Sequence, residues 1–156
     1  VTTQAPTATA RPGAAAGATG ADTALEWFDV TSATLTAGGA PTQATNSRTW
    51  AIGWAAAVRA LDEAPAGEDA AAFQDAALAG ALHHTLLTLV PARATELDAA
   101  LATTLDRVPD GPAEDGGLAA GRAEAGALLA GREGDGLAPE AINVAFPTPE
   151  PAPGVW

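Results

Sequence analysis

The sequence predicts an all-α protein, an antiparallel helical array of four to five helices with irregular N- and C-terminal segments. Three observations predict it. Between residues 22 and 136 apolar side chains recur every three or four positions, and no segment of any length alternates with the two-residue period of a strand. Gly and Pro cut this region at short intervals, around 38–41, 65–67, 91 and 109–112, which leaves tight connections that set neighbouring helices antiparallel. Alanine, the strongest helix former, makes up more than a quarter of the chain. The organisation that follows is a disordered arm over 1–21, a helical domain over 22–136 and a proline-rich linker or tail over 137–156. The arm is rich in Ala, Thr, Gly and Pro with almost no large apolar side chains, and the tail is rich in proline, so both read as irregular or extended chain.

A first helix is expected over about 22–36, capped by Asp22 or Thr23, with Leu25, Phe28, Ser32 and Leu35 on its inner face. Gly38 and Gly39 end it and Pro41 blocks its immediate resumption. A second starts at Asn46 or Ser47; Trp50, Trp54, Ala57, Val58 and Leu61 form its apolar stripe, and the two tryptophans read as core, with a ligand-stacking platform as the alternative. A third covers about 68–90, with Glu68 and Asp69 favouring its start and Phe73, Ala76, Ala77, Gly80, Leu87 and Val90 on the buried face. Pro91 ends it and is tolerated in the first turn of a fourth helix over about 92–107, striped by Leu97, Leu101, Leu105 and Val108. Pro109-Asp110-Gly111-Pro112 is a turn. A fifth helix over about 113–132 carries Leu118, Arg122, Ala125, Leu128 and Leu129. Its Gly117, Gly121 and Gly126 each cost about 1 kcal/mol relative to Ala, which points to close helix–helix contact, with coding bias as the alternative.

Charge narrows the function classes. The net charge is −12 and every cation is Arg, so the chain lacks the basic face that nucleic acid or an anionic membrane surface requires. The acidity itself reads as a solvated surface. Zero cysteine rules out disulfides and thiolate metal sites. No apolar run is long enough for a membrane span, and no charged n-region with an apolar h-region opens the chain. A mature secreted chain whose leader had been removed would read the same way.

Candidate chemistry is sparse. His83 and His84 are adjacent, so on a helix their rings point about 100° apart and cannot chelate one ion from one face. The acidic pairs Asp62-Glu63, Glu68-Asp69 and Glu114-Asp115 sit at helix ends, where capping and dipole interactions account for them. The run from Gly116 to Arg122 lacks the Lys and the preceding strand of a phosphate loop, Arg11-Pro12 lies in the arm, and no serine sits in a nucleophile elbow. No catalytic, cofactor-binding or metal-binding residue is assigned.

Asn46-Ser47-Arg48-Thr49-Trp50-Ala51-Ile52, continuing through Trp54 to Leu61, resembles an early helix of bacterial vanadium-dependent haloperoxidase-like proteins of the PAP2 phosphatase superfamily. Leu86-Leu87-Thr88-Leu89-Val90-Pro91, running into Leu97-Asp98-Ala99-Ala100-Leu101, is similar to the same family. The strongest likeness is Gly117-Leu118-Ala119-Ala120-Gly121-Arg122-Ala123-Glu124-Ala125, followed by Arg132-Glu133-Gly134-Asp135-Gly136. In that family a G-x-x-x-G-R helix ending in R-x-x-D-G precedes a proline-rich P-G-x-W, here Pro153-Gly154-Val155-Trp156. The resemblance covers about residues 24–156. The family's K-x6-R-P, P-S-G-H and S-R-x5-H motifs do not occur here.

The resemblance therefore implies a non-catalytic N-terminal scaffold portion of such an enzyme. The complete form would oxidise halide with hydrogen peroxide at a vanadate site; in the phosphatase relatives the same His attacks a phosphate monoester. No cofactor is assigned to this chain, vanadate being implied only for the complete family member. The implied partner is a C-terminal catalytic region or another copy of the chain. Two other classes remain open: a stand-alone acidic helical binding module acting through its Trp-bearing helix, and a self-assembling structural module of Ala/Gly-rich helices.

Overall fold

The computed structural model describes residues 20–40, 42–67, 69–136 and 150–153. The expected N-terminal arm up to residue 19, the expected tail over 137–149 and 154–156, and Pro41 and Glu68 lie outside them. The described residues form five α-helices and no strand: α1 (Gly20–Gly38), α2 (Gln43–Leu61), α3 (Ala70–Leu89), α4 (Ala94–Leu105) and α5 (Pro112–Ala130), with a 3₁₀ turn at Pro91–Arg93. The all-α array is therefore the fold. Helix bounds differ from the sequence reading by up to four residues, as fraying and capping allow.

Each boundary has a local cause. Thr42 caps α2, its hydroxyl accepting from the Thr45 backbone N–H at 3.3 Å. The expected caps Asn46 and Ser47 instead lie inside the first turn, and the Asn46 amide reaches back to the Ala40 carbonyl at 2.9 Å, tying down the α1–α2 connection. Gly111 adopts φ 147°, a value that favours glycine, and Pro112 opens α5 with Glu114 and Asp115 in its first turn. Asp62 stands at the C-terminal end of α2, where the dipole does not favour an anion; it caps through its own backbone N–H, and Arg59 supplies the cation of that last turn.

α3 is the central element. From Phe73 to Leu86 every residue but Gln74 and His84 is buried, including Ala76, Ala77, Ala79, Ala81 and Leu82. α5 makes the most extensive contact with it, followed by α2, then α1 and α4. The α3–α5 contact is one of backbone on backbone. A Cβ placed on Gly117 would run into the Phe73 carbonyl oxygen, and one on Gly121 into the Ala77 carbonyl oxygen. A Cβ on Gly80 would lie 3.2 Å from the Leu118 carbonyl oxygen. The glycines expected to mark close contact do so at 117 and 121. Gly126 does not; its Cβ would find His84 Nε2 at 4.0 Å and nothing nearer.

The inner face of α1 differs from the expected one. Leu25 and Phe28 point outward, 67% and 49% exposed, while Thr23, Trp27, Thr31 and Thr34 are buried. Trp27 is fully enclosed and its indole N–H donates to the Thr104 hydroxyl on α4 at 3.0 Å. The Thr31 hydroxyl donates to the Trp27 carbonyl at 2.7 Å, so a buried polar group is satisfied within its own helix. This face brings in a large aromatic ring with its hydrogen bond to α4 met.

The stripe of α2 is likewise rotated. Thr45, Thr49, Ile52, Gly53, Ala56, Ala57 and Ala60 are buried, whereas Trp50 and Trp54 are half-buried at the flank and Val58 is 58% exposed. Gly53 lets α2 settle on Leu82 and Thr85 of α3, a distance that a large inward side chain would forbid. On α4, Leu97 and Leu101 are buried as expected and Leu105 is half-buried, and Val108, just past the helix end, is buried as well.

The α3–α5 contact sets a paired prediction. Gly121→Ala forces two backbones apart, an overpacking cost of about 1–3 kcal/mol that exceeds the helix-propensity gain of about 1 kcal/mol. Gly126→Ala meets open space and should stabilise by about 0.5–1 kcal/mol. Urea denaturation of both variants should shift in opposite directions; a gain in both would refute the close-contact role.

Candidate functional site

The polar side chains that the fold gathers lie at three places. At the N-terminal end of α2, Arg48 Nε donates to Asp135 Oδ2 at 2.9 Å and its Nη2 donates to the Arg132 carbonyl at 3.2 Å. The guanidinium is largely buried, so this clamp fastens the turn after α5 onto α2 across 84 to 87 residues of sequence. Arg48, His84, Thr88, Leu129, Arg132 and Glu133 line a groove of about 540 Å³ beside it. A second groove of about 400 Å³ shares Arg48 and Arg132 with it and is lined further by Ile52, Ala55 and Leu128.

This groove brings together three groups the sequence left apart, Arg48, His84 and Arg132. Its chemistry does not fit a vanadate cage. Arg48 is already committed to Asp135 and to a carbonyl, the Glu133 carboxylate lines the same wall, and the C-terminal ends of α3 and α5 turn their carbonyl dipoles this way. An oxyanion there would meet as much negative as positive potential.

His83 and His84 face different surroundings, as adjacent helix positions must. The His83 ring is buried and its Nε2 lies 2.7 Å from Asp98 Oδ1, linking α3 to α4. His84 is half-buried in the groove. Among the described residues no three His, Asp or Glu side chains gather as metal ligands. Arg122 is exposed on α5, and Arg11 lies outside the described residues.

The second place is an aromatic ladder at the α1–α2 seam. The Phe28 and Trp50 rings meet edge to face at 5.0 Å, and Trp50 stacks on Trp54 at 6.2 Å with a 20° interplanar angle. The Trp54 indole nitrogen is buried without a hydrogen-bond partner. The tryptophans expected in the core are half-buried instead, and Phe28, expected on the inner face of α1, is exposed and pairs with Trp50.

The third is Asp75, a buried carboxyl on α3 beneath the first turns of α1, which the sequence reading did not single out. Burial pushes its carboxyl above the usual carboxylate range; the Thr23 hydroxyl and the Arg107 guanidinium pull it back, and the Asp22 charge adds to the rise. Asp75 Oδ1 has no hydrogen-bond partner. The only warning in the sequence is an Asp flanked by Phe73, Ala76 and Ala77.

Asp75 gives a pH prediction. Below about pH 3.9, the ordinary Asp value, the folded and unfolded states both carry the proton and the burial penalty is absent. As pH rises through the raised folded value, the folded state must hold a desolvated carboxylate that unfolding would release to water, and stability falls. Asp75→Asn should therefore have a higher urea midpoint than the parent at pH 7, with the two converging below about pH 4. A difference that does not change with pH would contradict this assignment.

None of the described helices is long and apolar enough to cross a membrane. Comparison with protein-family models, with characterised proteins and with solved structures finds no match to this chain.

Proposed function

We propose that this chain is the non-catalytic N-terminal scaffold portion of a vanadium-dependent haloperoxidase-like or PAP2-type enzyme of bacterial, secreted type. One observation carries the reading. The separate segments that resemble that family are the segments that hold this bundle together. Arg48, from the Asn46-Ser47-Arg48 segment, clamps Asp135 and the Arg132 carbonyl of the R-x-x-D-G turn. Gly117 and Gly121, from the G-x-x-x-G-R helix, seat α5 against the backbone of α3. The Leu86–Pro91 segment delivers the 3₁₀ turn that redirects the chain into α4. Such residues suit a supporting shell, whose sequence is constrained by contact rather than by chemistry.

The uncovered apolar residues Leu25, Phe28 and Val58 favour the same reading, since a portion of a larger helical body leaves a face for the remainder. The complete enzyme would take its vanadate from motifs that follow this segment, and no step of halide oxidation or phosphate transfer is assigned to the residues here. The partner is a C-terminal catalytic region; another copy of the chain is the competing occupant.

The native protein tests this. Its intact mass should exceed 15.3 kDa, and the sequence after the P-G-x-W should contain K-x6-R-P and P-S-G-H. The full polypeptide, given orthovanadate, peroxide and bromide, should brominate a phenol-type substrate, while residues 1–156 alone should not. Turnover by residues 1–156 alone, or a native continuation without those motifs, would overturn the proposal.

A further inference from the structure

We infer that the α1–α2 seam is a docking surface for one amphipathic helix whose apolar stripe is flanked by Lys or Arg. The three large hydrophobic side chains that stand most exposed among the described residues, Leu25, Phe28 and Val58, all lie on these two helices. Leu25 lies one turn before Phe28 on α1, and Val58 one turn after Trp54 on α2. The Phe28–Trp50–Trp54 ladder joins the two helices into one continuous apolar strip. A shallow groove of about 220 Å³ lined by Leu35, Asn46 and Trp50 extends the strip toward the α1–α2 connection.

The geometry suits a helix. α1 and α2 each pack on α3 more than on one another, so their seam is the position a further helix takes when a second layer covers the first. From Ser47 to Val58 the seam runs roughly 16 Å at 1.5 Å per residue, the length of about three helical turns. The side chains are suitable anchors, since half-exposed Trp and Phe carry most of the binding energy where helices dock in grooves.

Charge selects the partner. Asp29, one turn beyond Leu25, and Asp62, one turn beyond Val58, are exposed at the rim. Arg59 points elsewhere, 3.9 Å from Glu124 on α5. A second copy would bring another −12 net charge and the same two aspartates against this rim. A helix with basic flanks would meet complementary potential on both sides. This deepens the scaffold reading, and rests on it only for where the partner helix originates.

The probe is a fluorescein-labelled 18-residue Leu/Lys amphipathic peptide, with a Leu/Glu peptide of the same apolar stripe for comparison, in 150 mM NaCl. The variant is Leu25→Gln, Phe28→Gln, Val58→Gln, which replaces only exposed side chains and leaves the net charge unchanged, with its fold checked by circular dichroism. The Leu/Lys peptide should bind the parent chain saturably, protect tryptophan from acrylamide quenching, and bind the triple variant at least about tenfold more weakly. The Leu/Glu peptide should bind the parent at least about tenfold more weakly than the Leu/Lys peptide. Equal binding of the Leu/Lys peptide to parent and variant would overturn the inference, because only bulk charge would then be acting. Equal binding of both peptides, or a parent dimer in sedimentation that the variant loses, would overturn it too. If the docking result holds while the native continuation lacks K-x6-R-P, the scaffold reading fails and the surface stands; the converse fails only the surface.

Discussion

The structure depends on how closely α5 can approach α3. With Gly117 over the Phe73 carbonyl and Gly121 over the Ala77 carbonyl, the two helices touch at the backbone, and the small side chains between them suffice to fill the contact. A core of alanine offers little apolar area per residue, so it can be held only by short interaxial distances and many dispersion contacts. The same logic recurs at Gly53 against Leu82 and at Gly80 against Leu118. The large core residues Trp27, Leu82, Leu86 and Leu97 are fully buried among these small side chains.

Helix number, helix order and the tight turns were legible because Gly, Pro and apolar periodicity act locally. Which face turns inward was less legible. On α1 the pattern Leu25, Phe28, Leu35 looks more apolar than Thr23, Trp27, Thr31, Thr34, yet the threonines are inside. Threonine passes as a core residue here because its hydroxyl returns to its own helix, as Thr31 does to the Trp27 carbonyl, leaving its methyl to pack. That compensation depends on one rotamer, which periodicity cannot encode. On α2 the tryptophans mislead in the opposite sense: the surface facing α3 needs Gly53 and Ala56, so the bulky rings are displaced to the flank. The Arg48 clamp lay beyond sequence reading altogether, since 87 residues separate it from Asp135.

The arginines explain how so acidic a chain stays compact. Arg107 pairs with Glu26 between α4 and α1, Arg48 with Asp135, Arg59 with Glu124, and Arg93 with Glu96. Single exposed pairs of this kind contribute little, about 0–1 kcal/mol each. Their value lies in placement, because most of them join different elements and so draw cations to seams where carboxylates would otherwise repel. A guanidinium held in such a pair is less available to an anion, and Arg48, one of the two that line the groove, is held in this way by Asp135.

The bundle therefore divides its surface into two kinds. Where α4 and the turn after it meet α1 and α3, polar groups are matched: Trp27 with Thr104, His83 with Asp98, Arg107 with Glu26. At the α1–α2 seam aromatic rings meet, and Leu25 and Val58 on the same two helices stay in water. A closed bundle would gain by rotating α1 to bury Phe28, but that rotation would expose Trp27 and break its hydrogen bond to Thr104, together with the contact of Arg107 with Glu26. The orientation of α1 is thus set by α4 rather than by α2. The apolar seam left over is the consequence of that choice, and a further element can add burial there without displacing a contact already made.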